Sequence, residues 1–138
     1  MFFHLLRFLH ARGLSFFLDM AVTLALAPPN DLEQRLIKSL ADYNVRDGSL
    51  DNTRSVYVDQ TLVGFYVLHL HYIHYFHIFK PYRKRGYGLA AAAQLSAAHP
   101  ALHLHSTPAA RRFWERCGFM AIGEESDRAC VEMFKKAK

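Results

Sequence analysis

Apolar and polar positions along the chain change period several times, and each change marks an element. Ala21 to Ala27 (AVTLALA) is a short apolar run stopped by Pro28-Pro29, which predicts a strand. Asn30 or Asp31 can cap a helix through LEQRLIKSLADY, where Leu32, Leu36, Ile37 and Leu40 share one stripe. A polar loop, NVRDGSLDN, turns around Gly48. Ser55–Val58 and Leu62–Leu70 flank Asp59-Gln60 as a hairpin, and Tyr72–Phe79 continues as a third strand. A helix over about 89–98 ends near Pro100, followed by a strand at Leu102–His105. The next helix, from about Pro108 to Cys117, has proline in its first turn and ends at Gly118. Strands near Met120–Gly123 and Arg128–Phe134 close the chain. The order β-α-β-β-β-α-β-α-β-β predicts an α/β (α+β) domain, a mixed sheet covered by helices.

Composition narrows this picture only modestly. The 138 residues fit one domain with one core, and 51% apolar with 21% charged residues is ordinary for a globular protein. A net charge of +5 suits an anionic ligand or nucleic acid and decides neither. Cys117 and Cys130 are too few for a disulfide framework and lack metal-ligand spacing, which points to a reducing, cytoplasmic setting. Residues 1–19 (MFFHLLRFLHARGLSFFLD) are apolar but interrupted by Arg7, His10 and Arg12. They fall short of the roughly 20 apolar residues of a membrane span, and their cations sit inside the apolar run, not ahead of it. An amphipathic helix docked on the domain, a membrane-surface or partner helix, and an extension before a domain over residues 20–138 all stay open. The extension is the expected reading, with no membrane association.

The chemistry concentrates at Tyr82–Gly88 (YRKRGYG). A strand, a glycine-bearing turn and a helix present free backbone N–H groups and the positive end of a helix dipole, a seat for an anion. Gly86 and Gly88 would let a phosphate approach the main chain, and Arg83, Lys84 and Arg85 would surround it with charge. The chain lacks the GxxxxGK[ST] of a P-loop. Gly86–Ala91 fits a relaxed dinucleotide fingerprint, but four polar residues precede it. Where its ribose-binding acid belongs, the chain has Leu102-His103-Leu104-His105.

The segment IFKPYRKRGYGLAAA resembles the acetyl-CoA-binding signature [QR]xxGx[GA] of the GCN5-related N-acetyltransferases (GNAT). STPAARRFWERCGF resembles that family's later Asn-x-x-Ala segment with its aromatic and Gly-Phe, and the elements between follow the family's order over about 21–136. The resemblance implies a mixed, mostly antiparallel sheet of about six to seven strands flanked by helices. It implies acetyl-CoA as cofactor, with the pyrophosphate at Arg83, Lys84, Arg85, Gly86, Tyr87 and Gly88. Backbone at Ile78, Phe79 and Lys80 would lie beside the pantetheine arm. Thr107 replaces the family's asparagine opposite that arm, and Trp114 occupies the aromatic slot. Arg111, Arg112 and Arg116 are candidates for the 3′-phosphate, and Phe113 is read as core and pocket wall.

Acetyl transfer to an amine needs a base for the nitrogen and an acid for the leaving thiolate. Four of the nine histidines, His69, His71, His74 and His77, crowd onto adjoining strands. Alternation places His74, Phe76 and Ile78 on one face and Tyr75, His77 and Phe79 on the other. In arylalkylamine N-acetyltransferases a His-x-His pair precedes the signature at the positions held here by Tyr72 and His74. His74 is therefore the expected base and His105 the second choice. Trp114 stands where many relatives have tyrosine; its indole N–H donates a hydrogen bond but gives up no proton, which leaves Tyr72 or water as acid. HxHxxHxxH contains no Cys or carboxylate and its alternate positions diverge, so no metal is expected.

The acceptor is not written in these motifs. The resemblance implies an acceptor site around the first helix, its loop and the middle strands. There Tyr43, Asp47, Asp51, Tyr72 and several histidines could hold a cationic amine, and a small amine is the expected partner. A protein or peptide amine, an aminoacyl-tRNA acceptor, a regulatory acetyl-CoA-binding module without catalysis, and a homodimer all stay open.

Overall fold

The computed structural model describes residues 21–40, 51–122 and 130–136. The extension 1–19, Tyr43, Asp47 and Gly48 lie outside the described residues. Seven strands form one sheet: β1 (Val22–Leu24), β2 (Thr53–Val58), β3 (Thr61–His69), β4 (Tyr72–Ile78), β5 (Ala101–Ser106), β6 (Met120–Ile122) and β7 (Val131–Lys136). Its order is β1-β2-β3-β4-β5-β7-β6. All neighbours run antiparallel except β4 and β5, which are parallel. The helices are α1 (Asp31–Leu40), α2 (Tyr87–Ala98) and α3 (Pro108–Arg116). This is the predicted element order, and the mixed, mostly antiparallel sheet flanked by helices is the expected fold.

The two faces of the sheet hold different cores. On one, α2 presses Ala90, Ala91, Ala92 and Leu95 onto Val22, Val56, Val63, Tyr66, Ile73, Leu102 and Leu104, with Trp114 of α3 joining them. The alanine run is thus a close-packing surface that lets the α2 backbone lie near the strands. On the other face, Ile37 of α1 packs against Phe65, Val67 and Phe79. Asn30 and Glu33 form a reciprocal cap at the start of α1: Glu33 N–H donates to Asn30 Oδ1 at 2.9 Å, and Asn30 N–H to Glu33 Oε1 at 3.1 Å.

The expected α1 stripe is only partly covered: Ile37 is buried, whereas Leu32 and Leu36 remain 65% and 39% exposed among the described residues. Helix α2 starts at Tyr87, two residues before the expected position, so Gly88 belongs to its first turn. No helix among the described residues is long and apolar enough to cross a membrane.

Candidate functional site

The parallel strands β4 and β5 part soon after they meet. Only Tyr72 with His103 and Ile73 with Leu104 are in register, and the ladder stops there. Phe79 N–H donates to Val63 O at 2.8 Å, towards β3. By alternation the backbone groups of Ile78 and Phe76 turn the other way, into the gap left by β5. The edge offered to an extended ligand therefore lies at Phe76–Ile78, where Ile78 O already accepts from Arg83 Nε at 2.7 Å. Phe79 is fully buried on the α1 face, its carbonyl accepts from Tyr82 N–H, and Lys80 opens an exposed turn. Of the three residues expected beside the pantetheine arm, only Ile78 reaches the gap.

Two pockets flank Phe76. One, of about 310 Å³, is lined by Ile78, Tyr82, Arg83, Lys84, Gly86, Tyr87, Gly88, Leu89, Phe113 and Arg116. The other, of about 370 Å³, lies in the parting itself, between Ile73–Phe76 and Leu104–Thr107, with Ala110 and Trp114 behind. Together they run from the start of α2 to the point where β4 and β5 separate.

The first pocket gathers the predicted anion seat. Gly86 has φ 83 and caps the twelve-residue α2, a left-handed conformation that glycine adopts without strain. A Cβ at Gly88 would lie 3.2 Å from the edge of the Phe113 ring, a tight contact that a small shift of that side chain relieves. Lys84 and Arg116 line the pocket, while Arg85 and Arg112 are exposed outside it. Arg111 pairs with Glu115 at 3.7 Å. Arg116 is thus the one arginine of α3 brought to the seat.

Two of the three expected catalytic residues, His74 and His105, line the second pocket, and Tyr72 touches both without lining it. Tyr72 Oη and His105 Nδ1 are hydrogen-bonded across the β4–β5 junction. The His74 ring lies 4.7 Å from that of Tyr72 and 6.4 Å from that of His69. His74 does not share a face with Phe76 and Ile78, as simple alternation predicted. Register slips between Val67↔Tyr75 and Leu68↔Ile73, which makes His74 the extra residue of a β-bulge. Counting across the bulge inverts its face and sets it beside Tyr72. His77 is buried between Phe65 and Phe79 on the α1 face, and His71 packs by His99. Burial pushes the Tyr72 phenol above its ordinary value of 10, and the Glu132 carboxylate adds to this; the His105 hydrogen bond opposes.

Glu132 escaped the sequence reading. It lies opposite His105 in the β5–β7 ladder, and its Oε1 is 3.6 Å from His103 Nδ1. Only strand register brings it near β4, and register is not a local signal. Trp114 is 7% exposed, stacked edge-on to Phe76, Phe113 and Phe119, and walls the pocket. Thr107 caps α3 by accepting from Ala110 N–H at 3.3 Å, and it also lines the pocket. Asp51 is exposed at the edge of β2. No cluster of metal-ligating side chains occurs among the described residues.

The geometry fits coenzyme A: an unladdered strand edge for an extended arm, and a left-handed glycine with a helix start and cations for a pyrophosphate. Comparison with known proteins agrees. A family model described as Acetyltransferase (GNAT) family matches residues 18–119. Among solved structures, the Bacillus subtilis N-acetyltransferase YlbP in complex with coenzyme A is similar with TM-score 0.66 and 14% identity, over 83% of this chain and 96% of that one. Arabidopsis thaliana Naa50 in complex with the bisubstrate analogue CoA-Ac-MVNAL has TM-score 0.61 and 18% identity, over 84% and 99%. Ard1 from Thermoplasma volcanium has TM-score 0.63 and 18% identity, over 86% and 99%. A search of curated protein sequences gave no significant match. With the family model covering most of the sheet and both pockets, the chain belongs to the acetyltransferase (GNAT) family, acyltransferases whose acetyl donor is acetyl-CoA.

Proposed function

We propose that this chain is an N-acetyltransferase acting on a small primary amine, by direct attack in a ternary complex. One observation carries the reading: Tyr72 contacts both His74 and His105 at the β4–β5 junction, and the two histidines line the pocket next to the one that holds the anion seat. Bound acetyl-CoA supplies an activated acetyl thioester. Gly86, Lys84 and the start of α2 would hold its pyrophosphate, Arg116 would meet its phosphates, and the Phe76–Ile78 edge would lie along its arm. His74 takes a proton from the incoming amine, which frees the nitrogen lone pair. Tyr72, kept in its phenol form by burial and Glu132, gives a proton to the departing sulfur. His105, hydrogen-bonded to that phenol, orients it. The exposed carboxylate of Glu132 favours a cationic acceptor.

Isothermal titration with acetyl-CoA tests the seat: wild-type protein is expected to bind, and no binding removes the whole reading. Thiol release across a panel of amines then identifies the acceptor. Turnover of small amines supports the proposal, whereas turnover of peptide or tRNA-borne amines alone reassigns it. Binding without turnover of any acceptor makes the chain a regulatory module. His74→Ala is expected to abolish the acidic limb of the pH–rate profile, and an unchanged profile removes His74 as the base.

A further inference from the structure

Arg83 opens the signature, yet its guanidinium is engaged away from the helix start. Nε donates to Ile78 O at 2.7 Å, and Nη2 lies 3.3 Å from His77 Nε2. We propose that His77 is a positioning residue for the acetyl-CoA seat, holding Arg83 as a strut against the end of β4. The inference rests on the acetyltransferase reading and assigns a role to a histidine that the reaction itself does not use.

Arginine has only donors, so His77 Nε2 must accept and the imidazole proton must sit on Nδ1. The imidazole is 9% exposed and packed against Phe65 and Phe79, at ring distances of 5.7 and 5.9 Å. Its ring is thereby fixed, and a hydrogen bond at such a site is stronger than one in water. The link that follows Arg83 needs a fixed starting point. Lys84 has φ 65 and Gly86 has φ 83, two left-handed residues before α2 begins. The nearest backbone ties, Tyr82 N–H to Phe79 O at 2.9 Å and Arg83 N–H to Lys80 O at 3.3 Å, both precede that link. The Arg83 side chain ties this stretch back to the strand, and His77 sets its direction. Arg83 therefore shapes the seat through Lys84 and Gly86, and its guanidinium is not itself the main phosphate contact.

Coenzyme A binding to the full chain, measured by titration calorimetry, tests this. His77→Phe keeps the aromatic packing and removes the acceptor; it is expected to weaken binding about tenfold with the melting temperature unchanged or raised. His77→Gln keeps an acceptor near the Nε2 position and is expected to stay within about threefold of wild type. In an Arg83→Ala background, His77→Phe is expected to add nothing. Wild-type affinity in His77→Phe, equal losses in His77→Phe and His77→Gln, or full additivity with Arg83→Ala would each overturn the strut. If His77→Phe fails to fold, Arg83→Lys decides: it keeps the charge but loses the fork, so a loss near that of Arg83→Ala supports the strut, and near-wild-type binding refutes it. Failure of the wild type to bind coenzyme A would instead remove the acetyltransferase reading.

Discussion

At the scale of single residues, Tyr72 is the side chain whose surroundings best match a task. Trp114 fills the family's aromatic slot and is packed as a wall, so a proton for the sulfur has to come from elsewhere. On the proposed reading Tyr72 offers one from β4. Its phenol is held above 10, first by burial and then by Glu132, so the acid form is present throughout the neutral range and is lost only as pH rises beyond 10. We expect kcat to show no falling alkaline limb between pH 7 and 9. Tyr72→Phe is expected to lower kcat by about a hundredfold while leaving KM for acetyl-CoA unchanged. Steady-state kinetics across pH checks both, and a Tyr72→Phe enzyme with wild-type kcat would remove the assignment. Tyr72 and His74 are legible in the sequence by their distance before Arg83, and His105 by its place at the end of a strand. Their meeting was not, because the Tyr72–His105 bond depends on a two-residue parallel ladder.

At the scale of elements, the sequence reading succeeds where the signal is local and fails where two strands must be seen together. The cap at Asn30–Glu33, the Asp59-Gln60 turn and the proline start of α3 are carried by neighbouring residues, and all three are found. The slips in register are not: one sets Val63 as an extra residue in β3, and the other sets His74 in β4. Gly64 shows what this close pairing demands, since a Cβ there would lie 2.3 Å from His77 O and 2.9 Å from Ile78 Cδ1. That oxygen is backbone and cannot rotate away. Gly64→Ala is expected to cost at least about 2 kcal/mol, lowering the melting temperature by roughly 6 °C or more. Gly88→Ala meets only the edge of the Phe113 ring and gains helix propensity, so it is expected to stay within about 1 kcal/mol of wild type. Thermal unfolding of the two variants checks the order, and equal melting temperatures would contradict it.

At the scale of the whole molecule, the site is assembled from elements far apart in sequence. β4 and α2 form the seat, β5 supplies His105, and the last strand supplies Glu132. The sheet order β4-β5-β7 sets the carboxylate beside the histidines, on the face opposite α2 and α3. On the proposed reading this sets the Glu132 carboxylate near the acceptor, while Lys84 and Arg116 line the pocket at the other end. On that reading the two ends would sort their ligands by sign: a polyanion at one, an ammonium at the other. Glu132 is exposed enough for its field to be screened by salt, which makes the idea measurable. Glu132→Gln is expected to raise KM for a cationic amine about threefold to tenfold, with KM for acetyl-CoA unchanged. Wild-type KM for that amine is expected to climb with ionic strength towards the variant's value, and the variant's to stay nearly flat. Because Glu132 also raises the Tyr72 phenol, the variant's alkaline limb is expected to move to lower pH. A Glu132→Gln enzyme with the wild-type KM and the wild-type salt dependence would show that acceptor charge is read elsewhere.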